Sequence, residues 1–259
     1  MAVTVDLNCD MGESFGEYTA GNDAEAAAYV TSSNIACGAH ASDPTVMRRT
    51  IRLCGDHNVM VGAHPGYPDL QGFGRRRIEM DHEEIIDSVI YQVGALKGFA
   101  DHAGVPLQHV KLHGALYHYA LGQEKLFVDI AENLRKAFGD IILLTMGTAA
   151  SIELRSICRK SGARIALEAF PDRVYDDDGA LLSRSRPGAV IKDAGVIAQR
   201  AISMVKRKGT ESLNGRWIDL AIDTICIHGD NRESILAAPM IRRRAEREGI
   251  EVRPLGSFV

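Results

Sequence analysis

The first apolar stretch of the chain, Val5-Asp6-Leu7-Asn8-Cys9-Asp10, is polar at every second position. A β-strand turns successive side chains to opposite faces, so Asp6, Asn8 and Asp10 share one face and Leu7 and Cys9 the other. A strand of a parallel sheet, buried on both sides, normally reads as a near-continuous apolar run. Three carboxylate or amide groups aimed one way therefore mark a polar interior face. The pattern recurs in Ser33-Asn34-Ile35-Ala36-Cys37-Gly38-Ala39-His40, Met60-Val61-Gly62-Ala63-His64-Pro65, Val110-Lys111-Leu112-His113-Gly114 and Ile225-Cys226-Ile227-His228-Gly229-Asp230. Each is an apolar strand with polar, mostly titratable residues at its C-terminal end. Strands that deliver such groups from the same end describe one shared pocket.

Strand-like runs over 3–9, 33–37, 59–63, 110–112, 141–146, 164–169 and 224–228 alternate with helical patterns over 45–57, 81–99, 124–138, 148–161, 193–208 and 232–248. Asp43-Pro44 supplies an N-cap and a first-turn proline. Gly139, Gly162, Gly209 and Gly249 stand where helices end in a left-handed residue. Strict β-α alternation predicts an α/β fold with a parallel sheet and helices outside. An open doubly wound sheet would draw its site from a few strands at one switch point. At least five strands contribute here, so the pattern predicts a closed or nearly closed (β/α) barrel of about seven units, with its site at the strand C-termini. Without linker, repeat or low-complexity stretch, residues 1–259 read as a single barrel domain. Two insertions, 65–80 and 170–191, each follow a strand and belong over the barrel mouth; long ordered loops in compact domains are usually functional.

A chain of 259 residues, 46% hydrophobic and 25% charged, has the composition of an ordinary soluble protein with a sizeable core. A net charge of -4 gives no footprint for nucleic acid or an anionic membrane. No apolar run approaches the ~20 residues needed to span a bilayer. The five cysteines are odd in number and lack CxxC spacing, and no signal peptide precedes the first strand. Reduced, buried thiols and a cytoplasmic location are the expectation.

His40, His64, His113 and His228 each fall at or just past a strand end, with Asp10, Asp230 and Glu13 to supply carboxylates. Imidazoles and a carboxylate suit proton transfer or a divalent metal; without HxH or HExxH spacing, the sequence leaves the metal open. Lys111 shares a strand face with His113, and a lysine inside a barrel must be paired or functional. Asp10, Asp6 and Glu168 are its candidate ion-pair partners. Arg75 and Arg76 in the first insertion, and Asp172, Arg173, Tyr175 and Arg184 in the second, offer contacts to an anionic group. The run Asp176-Asp177-Asp178-Gly179 lacks the ligand spacing of a calcium loop and reads as a solvated turn. No GxxxxGK[ST] or GxGxxG occurs, and the strand pattern turns Cys9 and Cys37 outward, towards the helices.

The stretches Val5-Asp6-Leu7-Asn8-Cys9-Asp10-Met11-Gly12-Glu13, Ser33 to Pro44, Gly62-Ala63-His64-Pro65-Gly66-Tyr67-Pro68-Asp69, Gly72-Phe73-Gly74-Arg75-Arg76, Val110 to Tyr117, Glu168 to Arg173 and Ile227-His228-Gly229-Asp230 closely resemble the LamB/YcsF family over nearly the whole chain. The resemblance implies a seven-stranded (β/α) barrel of the glycoside hydrolase/deacetylase type. It also implies a role as one component of ATP-dependent 5-oxoprolinase, which converts 5-oxo-L-proline, ATP and water to L-glutamate, ADP and phosphate with partner subunits B and C. With no phosphate loop visible, ATP is expected to be handled mainly by the partners. In that scheme Asp10, His64, Lys111 and His113 are the catalytic candidates. His113, His64 or Asp10 would be the general base, and Lys111 would neutralise the developing oxyanion. Asn8, Asn34, His40, Arg75, Arg76, Glu168, Arg173, His228 and Asp230 are the substrate-binding candidates. The alternatives are a metal-dependent hydrolase or deacetylase acting alone on a sugar or amide, and a non-catalytic lactam- or carbohydrate-binding subunit.

Overall fold

A computed structural model describes residues 3–259. Its elements run in chain order β1 (Val3–Met11), α1 (Asp23–Ala27), β2 (Ser32–Ala36), α2 (Pro44–Asp56), β3 (Met60–His64), α3 (His82–Ala103), β4 (Leu107–Lys111), α4 (Gly114–Leu121), α5 (Glu124–Phe138), β5 (Ile142–Met146), α6 (Ala149–Lys160), β6 (Arg164–Ala169), α7 (Ala194–Arg207), β7 (Gly209–Glu211), β8 (Trp217–Asp219), β9 (Thr224–Ile227), α8 (Arg232–Arg247) and β10 (Ile250–Val252). Seven strands pair in parallel in the order β1-β2-β3-β4-β5-β6-β9, and β9 closes back on β1. The α/β barrel expected from the alternation is therefore present.

The unusual length of β1 has a structural cause. Its first residues, Val3 to Val5, pair with β10, and Asp6 to Cys9 pair with β9. One strand thus belongs to the barrel and to a short extension beneath it. Several elements escape the periodicity: the short helix α1, the antiparallel hairpin β7–β8, the strand β10 and the helix α4, which follows β4 directly. In α4, Ala115, Leu116, Tyr117, Tyr119, Ala120 and Leu121 make the helix apolar nearly all round, so no polar face sets off its buried stripe.

Two apolar regions support the barrel. The larger lies between the outward faces of the strands and the helices, and includes Leu7, Cys9, Ile35, Cys37, Val61, Val110 and Leu167. The smaller comprises Ile142, Leu144, Ala166 and Leu255, bringing a residue of the C-terminal segment together with β5 and β6. All five cysteines are buried and free. No helix among the described residues is long and apolar enough to cross a membrane.

Candidate active site

The interior is built in tiers that rise along β1. Deepest is Asp6, which has no solvent exposure and accepts hydrogen bonds from the hydroxyls of Thr31, Ser32 and Thr224. Burial pushes its carboxyl up to about 6. The strand pattern made Asp6 a candidate partner of Lys111; the hydroxyls take that place instead. Above it, the Asn34 amide donates to Asn8 Oδ1 and to Asp10 Oδ1, both at 2.8 Å, while its own Oδ1 lies 2.8 Å from His109 Nε2. His109 was not singled out in the sequence, because the strand read as starting at Val110; β4 in fact starts at Leu107 and turns His109 and Lys111 to the same face.

Lys111 Nζ occupies the next tier. It lies 2.9 Å from Asp10 Oδ1, 3.1 Å from Glu168 Oε2 and 3.1 Å from Cys226 Sγ. Burial alone would lower Lys111, but Asp10, Cys226 and Glu168 hold it well above its ordinary range. The reverse applies to Asp10: burial would raise it, and the Lys111 ammonium brings it well below the usual carboxylate range. Burial pushes the Cys226 thiol up despite the ammonium, and Cys9 and Cys37 are likewise raised by burial. None of these thiols is poised as a thiolate nucleophile.

The mouth carries the histidines. His228 Nδ1 donates to both oxygens of Asp172, at 2.9 and 2.8 Å, and its ring stacks on Phe170. Asp172 also accepts from Asn231 Nδ2 and Ser234 Oγ. Although burial favours its neutral form, His228 and these donors hold it well below the carboxylate range. His64 Nδ1 donates to the Lys111 carbonyl at 2.7 Å, and His113 Nε2 donates to the Phe73 carbonyl at 2.9 Å. Burial lowers His64 to about 3 and places His113 and His40 well below the imidazole range. His40 stacks flat on His113, with ring centroids 3.7 Å apart. Gly74, at φ 63°, lets the first insertion close over this stack; a Cβ there would stand 2.8 Å from His40 Cβ and 2.9 Å from His113 Cδ2.

A cavity of about 550 Å³ opens above these groups. Of the residues expected at the site, Asp10, His64, Lys111, His113, Arg75, Arg173, His228 and Asp230 line it. Asn8, Asn34 and Glu168 lie beneath it, fully buried. His40 lies behind His113, and Arg76 pairs with Asp69 within its own loop. Residues the sequence did not single out, Tyr117, His118 and Phe170, complete the wall; Tyr117 and His118 arrive on the unforeseen α4. Both insertions reach the cavity, through Arg75 and through 181–185. At the rim Arg75 Nη2 and Arg184 Nη1 share a single carboxylate oxygen of Asp230, at 2.6 and 2.9 Å, which leaves one positive charge in excess. The Asp176 carboxylate accepts from the backbone of Asp178 and Ala180, an ordinary turn.

Two side-chain groups have the donor atoms for a divalent cation: Glu13, His40, His64 and His113, and Asp10, Cys226 and His228, in each case within 4.8 Å of one another.

The sequence profile of the LamB/YcsF family matches residues 5–259. The chain belongs to the LamB/YcsF family. Among its relatives, the 5-oxoprolinase A subunit of Pyrococcus furiosus is 51% identical over 255 residues, covering 98% of this chain and 99% of that protein. The protein of the same name from Natranaerobius thermophilus is 44% identical over 254 residues, covering 98% of each. The crystal structure of a lactam utilization protein from Thermus thermophilus superposes with a TM-score of 0.87 at 41% identity, over 97% of this chain and 99% of that one. A GH113 β-1,4-mannanase, at 11% identity and a TM-score of 0.53 over 95% of this chain and 99% of that one, shares the barrel fold.

Proposed function

We propose that this chain is the lactam-opening component of an ATP-dependent 5-oxoprolinase, acting on 5-oxo-L-proline with partner subunits B and C. The observation that carries the proposal is the co-location, in one cavity, of a fixed ammonium, a carboxylate-backed imidazole and an arginine pair. The names of the relatives at 44–51% identity point to the same substrate.

Opening a lactam requires water to add to the ring carbonyl carbon and the C–N bond to break, with the ring nitrogen gaining a proton. An amide carbonyl is a poor electrophile, so ATP is spent to phosphorylate its oxygen. The chain carries neither common phosphate-loop motif, and that step belongs to the partners in this scheme. Water then adds to the carbonyl carbon, and the C–N bond breaks as the nitrogen takes a proton. A second water releases phosphate from the acyl phosphate left behind. Lys111 neutralises the negative charge on the phosphorylated oxygen in these steps. Asp10 and Glu168 keep it charged and aimed.

Three general-base candidates follow from the sequence, but Asp10 is committed to Lys111, and His64 and His113 face each other. His228 is better placed. Its Nδ1 is fixed by Asp172, so the neutral ring presents a bare Nε2 with no protein hydrogen bond, ready to take a proton from water and later pass it to the leaving nitrogen. Arg75 and Arg184 hold the substrate carboxylate. A second reading, a metal-dependent hydrolase acting alone, is favoured by the imidazole group around His113.

The test is a complex reconstituted with subunits B and C in which His228→Asn replaces the proton acceptor. Glutamate formation is expected to fall about 10²- to 10⁴-fold with the fold intact by circular dichroism. Wild-type turnover by the variant, or full lactam hydrolysis by this chain without its partners, overturns the assignment.

A further inference from the structure

His64 and His113 make a contact that neutral imidazoles cannot satisfy by themselves. Nδ1 of His64 points at the Lys111 carbonyl and Nε2 of His113 at the Phe73 carbonyl. A carbonyl oxygen can only accept, so both of those nitrogens carry the ring proton. The remaining nitrogens, His64 Nε2 and His113 Nδ1, are then both lone pairs, and they face each other 2.9 Å apart. Something positive has to lie between or beside them.

The surroundings indicate what. Glu13 Oε1 is 3.9 Å from His113 Nδ1, and Asp10 Oδ1 is 3.6 Å from His64 Nε2. His40 is 1% exposed, and neither of its ring nitrogens has a hydrogen-bond partner. One nitrogen from each of the three imidazoles and one oxygen of Glu13 fall within 4.8 Å of one another. Metal-bound histidines characteristically donate their second nitrogen to a backbone carbonyl or carboxylate, as His64 and His113 do here. Two ligands at about 2.0–2.1 Å from a tetrahedral cation would be about 3.3 Å apart, so these nitrogens need part by only a few tenths of an ångström to admit one. The cavity reaches Glu13, His64 and His113, which gives a cation a way in.

We propose that Glu13, His64 and His113, with His40 as a fourth ligand once its ring turns off the His113 stack, form a binding site for one divalent transition cation of the zinc and cobalt class. Three nitrogens and one carboxylate oxygen suit that class, whereas magnesium and calcium take oxygen donors almost exclusively. The site lies at the wall of the proposed lactam cavity, but its occupancy does not depend on the lactam reading, because binding is measured without substrate.

The experiment strips the full chain with chelator and titrates it with Co²⁺, following visible d–d absorption and calorimetric heat, with Zn²⁺ as competitor. The expected result is one Co²⁺ per chain, displaced by Zn²⁺, with at least 10-fold weaker binding in Glu13→Gln and in His113→Asn. His118→Asn, a cavity-lining histidine outside the proposed ligand set, should bind as wild type. Circular dichroism establishes that each variant is folded; Glu13→Gln keeps the test open should His113→Asn fail to fold. Absence of binding, or equal binding by the folded variants, overturns the proposal. A ¹⁵N spectrum of the Zn²⁺-saturated protein that shows an imidazolium proton still shared between His64 and His113 overturns it too.

Discussion

The Lys111 ammonium lies 2.9 Å from the Asp10 carboxylate, and both groups are buried at the floor of the cavity. Each sets the charge of the other. Replacing Lys111 by Met keeps the length of the side chain but strands Asp10 and Glu168 without a cation. Breaking a buried pair by removing one partner costs about 3–5 kcal/mol. Denaturant unfolding of Lys111→Met at neutral pH should show a loss of that order, and a loss below about 1 kcal/mol, as for a solvated surface pair, would contradict the buried-pair description. The acid limb carries the sign of the shift. Asp10 is depressed in the folded state, so its contribution is complete above the ordinary aspartate value of about 3.9 and is lost as pH falls through the lower folded value. That part of the acid dependence should shrink in the variant.

Asp6 has the opposite linkage. Its folded carboxyl is raised by burial from 3.8 to about 6. Its contribution is therefore complete below the unfolded value and is lost as pH rises through the folded one. Relative to Asp6→Asn, which does not titrate, the wild type should lose roughly 2–3 kcal/mol of stability between about pH 4 and pH 6. Unfolding free energies measured across that window check the point; parallel profiles for the two proteins would show that Asp6 ionises normally.

Gly62 pairs with His109 across β3 and β4, and a Cβ at Gly62 would stand 2.0 Å from His109 Nε2. Gly62→Ala should destabilise the protein by about 1–3 kcal/mol through overpacking. His109→Ala makes room for it, at the cost of the hydrogen bond to Asn34. The double variant should accordingly be more stable than the sum of the single losses requires, by at least about 0.5 kcal/mol in a double-mutant cycle. Strict additivity would mean that the ring and the missing Cβ do not share that space.

Asp172→Asn should leave the barrel folded and impair catalysis. Asparagine can still touch His228, but its amide NH₂ can donate where the carboxylate only accepts, so the tautomer with a bare Nε2 is no longer enforced. In the reconstituted complex, kcat should fall about 10²- to 10⁴-fold with KM little changed. A raised KM with unchanged kcat would make His228 a binding group instead of a base.

What the sequence made legible followed from period two. Asp6, Asn8 and Asp10 could be placed on one face of β1, and the histidines at four strand ends gave the location of the mouth, because a strand pattern carries orientation directly. Other features carry no such signal. Gln108 and His109 interrupt the apolar run that marks β4, so the pattern alone does not reveal the interior histidine at its start. The helix α4 is apolar nearly all round, which blurs its period and hides Tyr117 and His118. The Asp172–His228 pair spans 56 residues, and the facing nitrogens of His64 and His113 depend on which carbonyl each ring meets. Tautomers and long-range partners of this kind exist only once the barrel is closed.

The most direct test of the central claim is a crystal structure of this chain with 5-oxo-L-proline bound. The account predicts the lactam in the cavity at the barrel mouth, with its ring carbonyl oxygen within hydrogen-bonding reach of Lys111 Nζ, its carboxylate against Arg75 and Arg184, and His228 Nε2 facing the carbonyl carbon. A lactam bound outside this cavity, or held with its carbonyl turned away from Lys111, would contradict it.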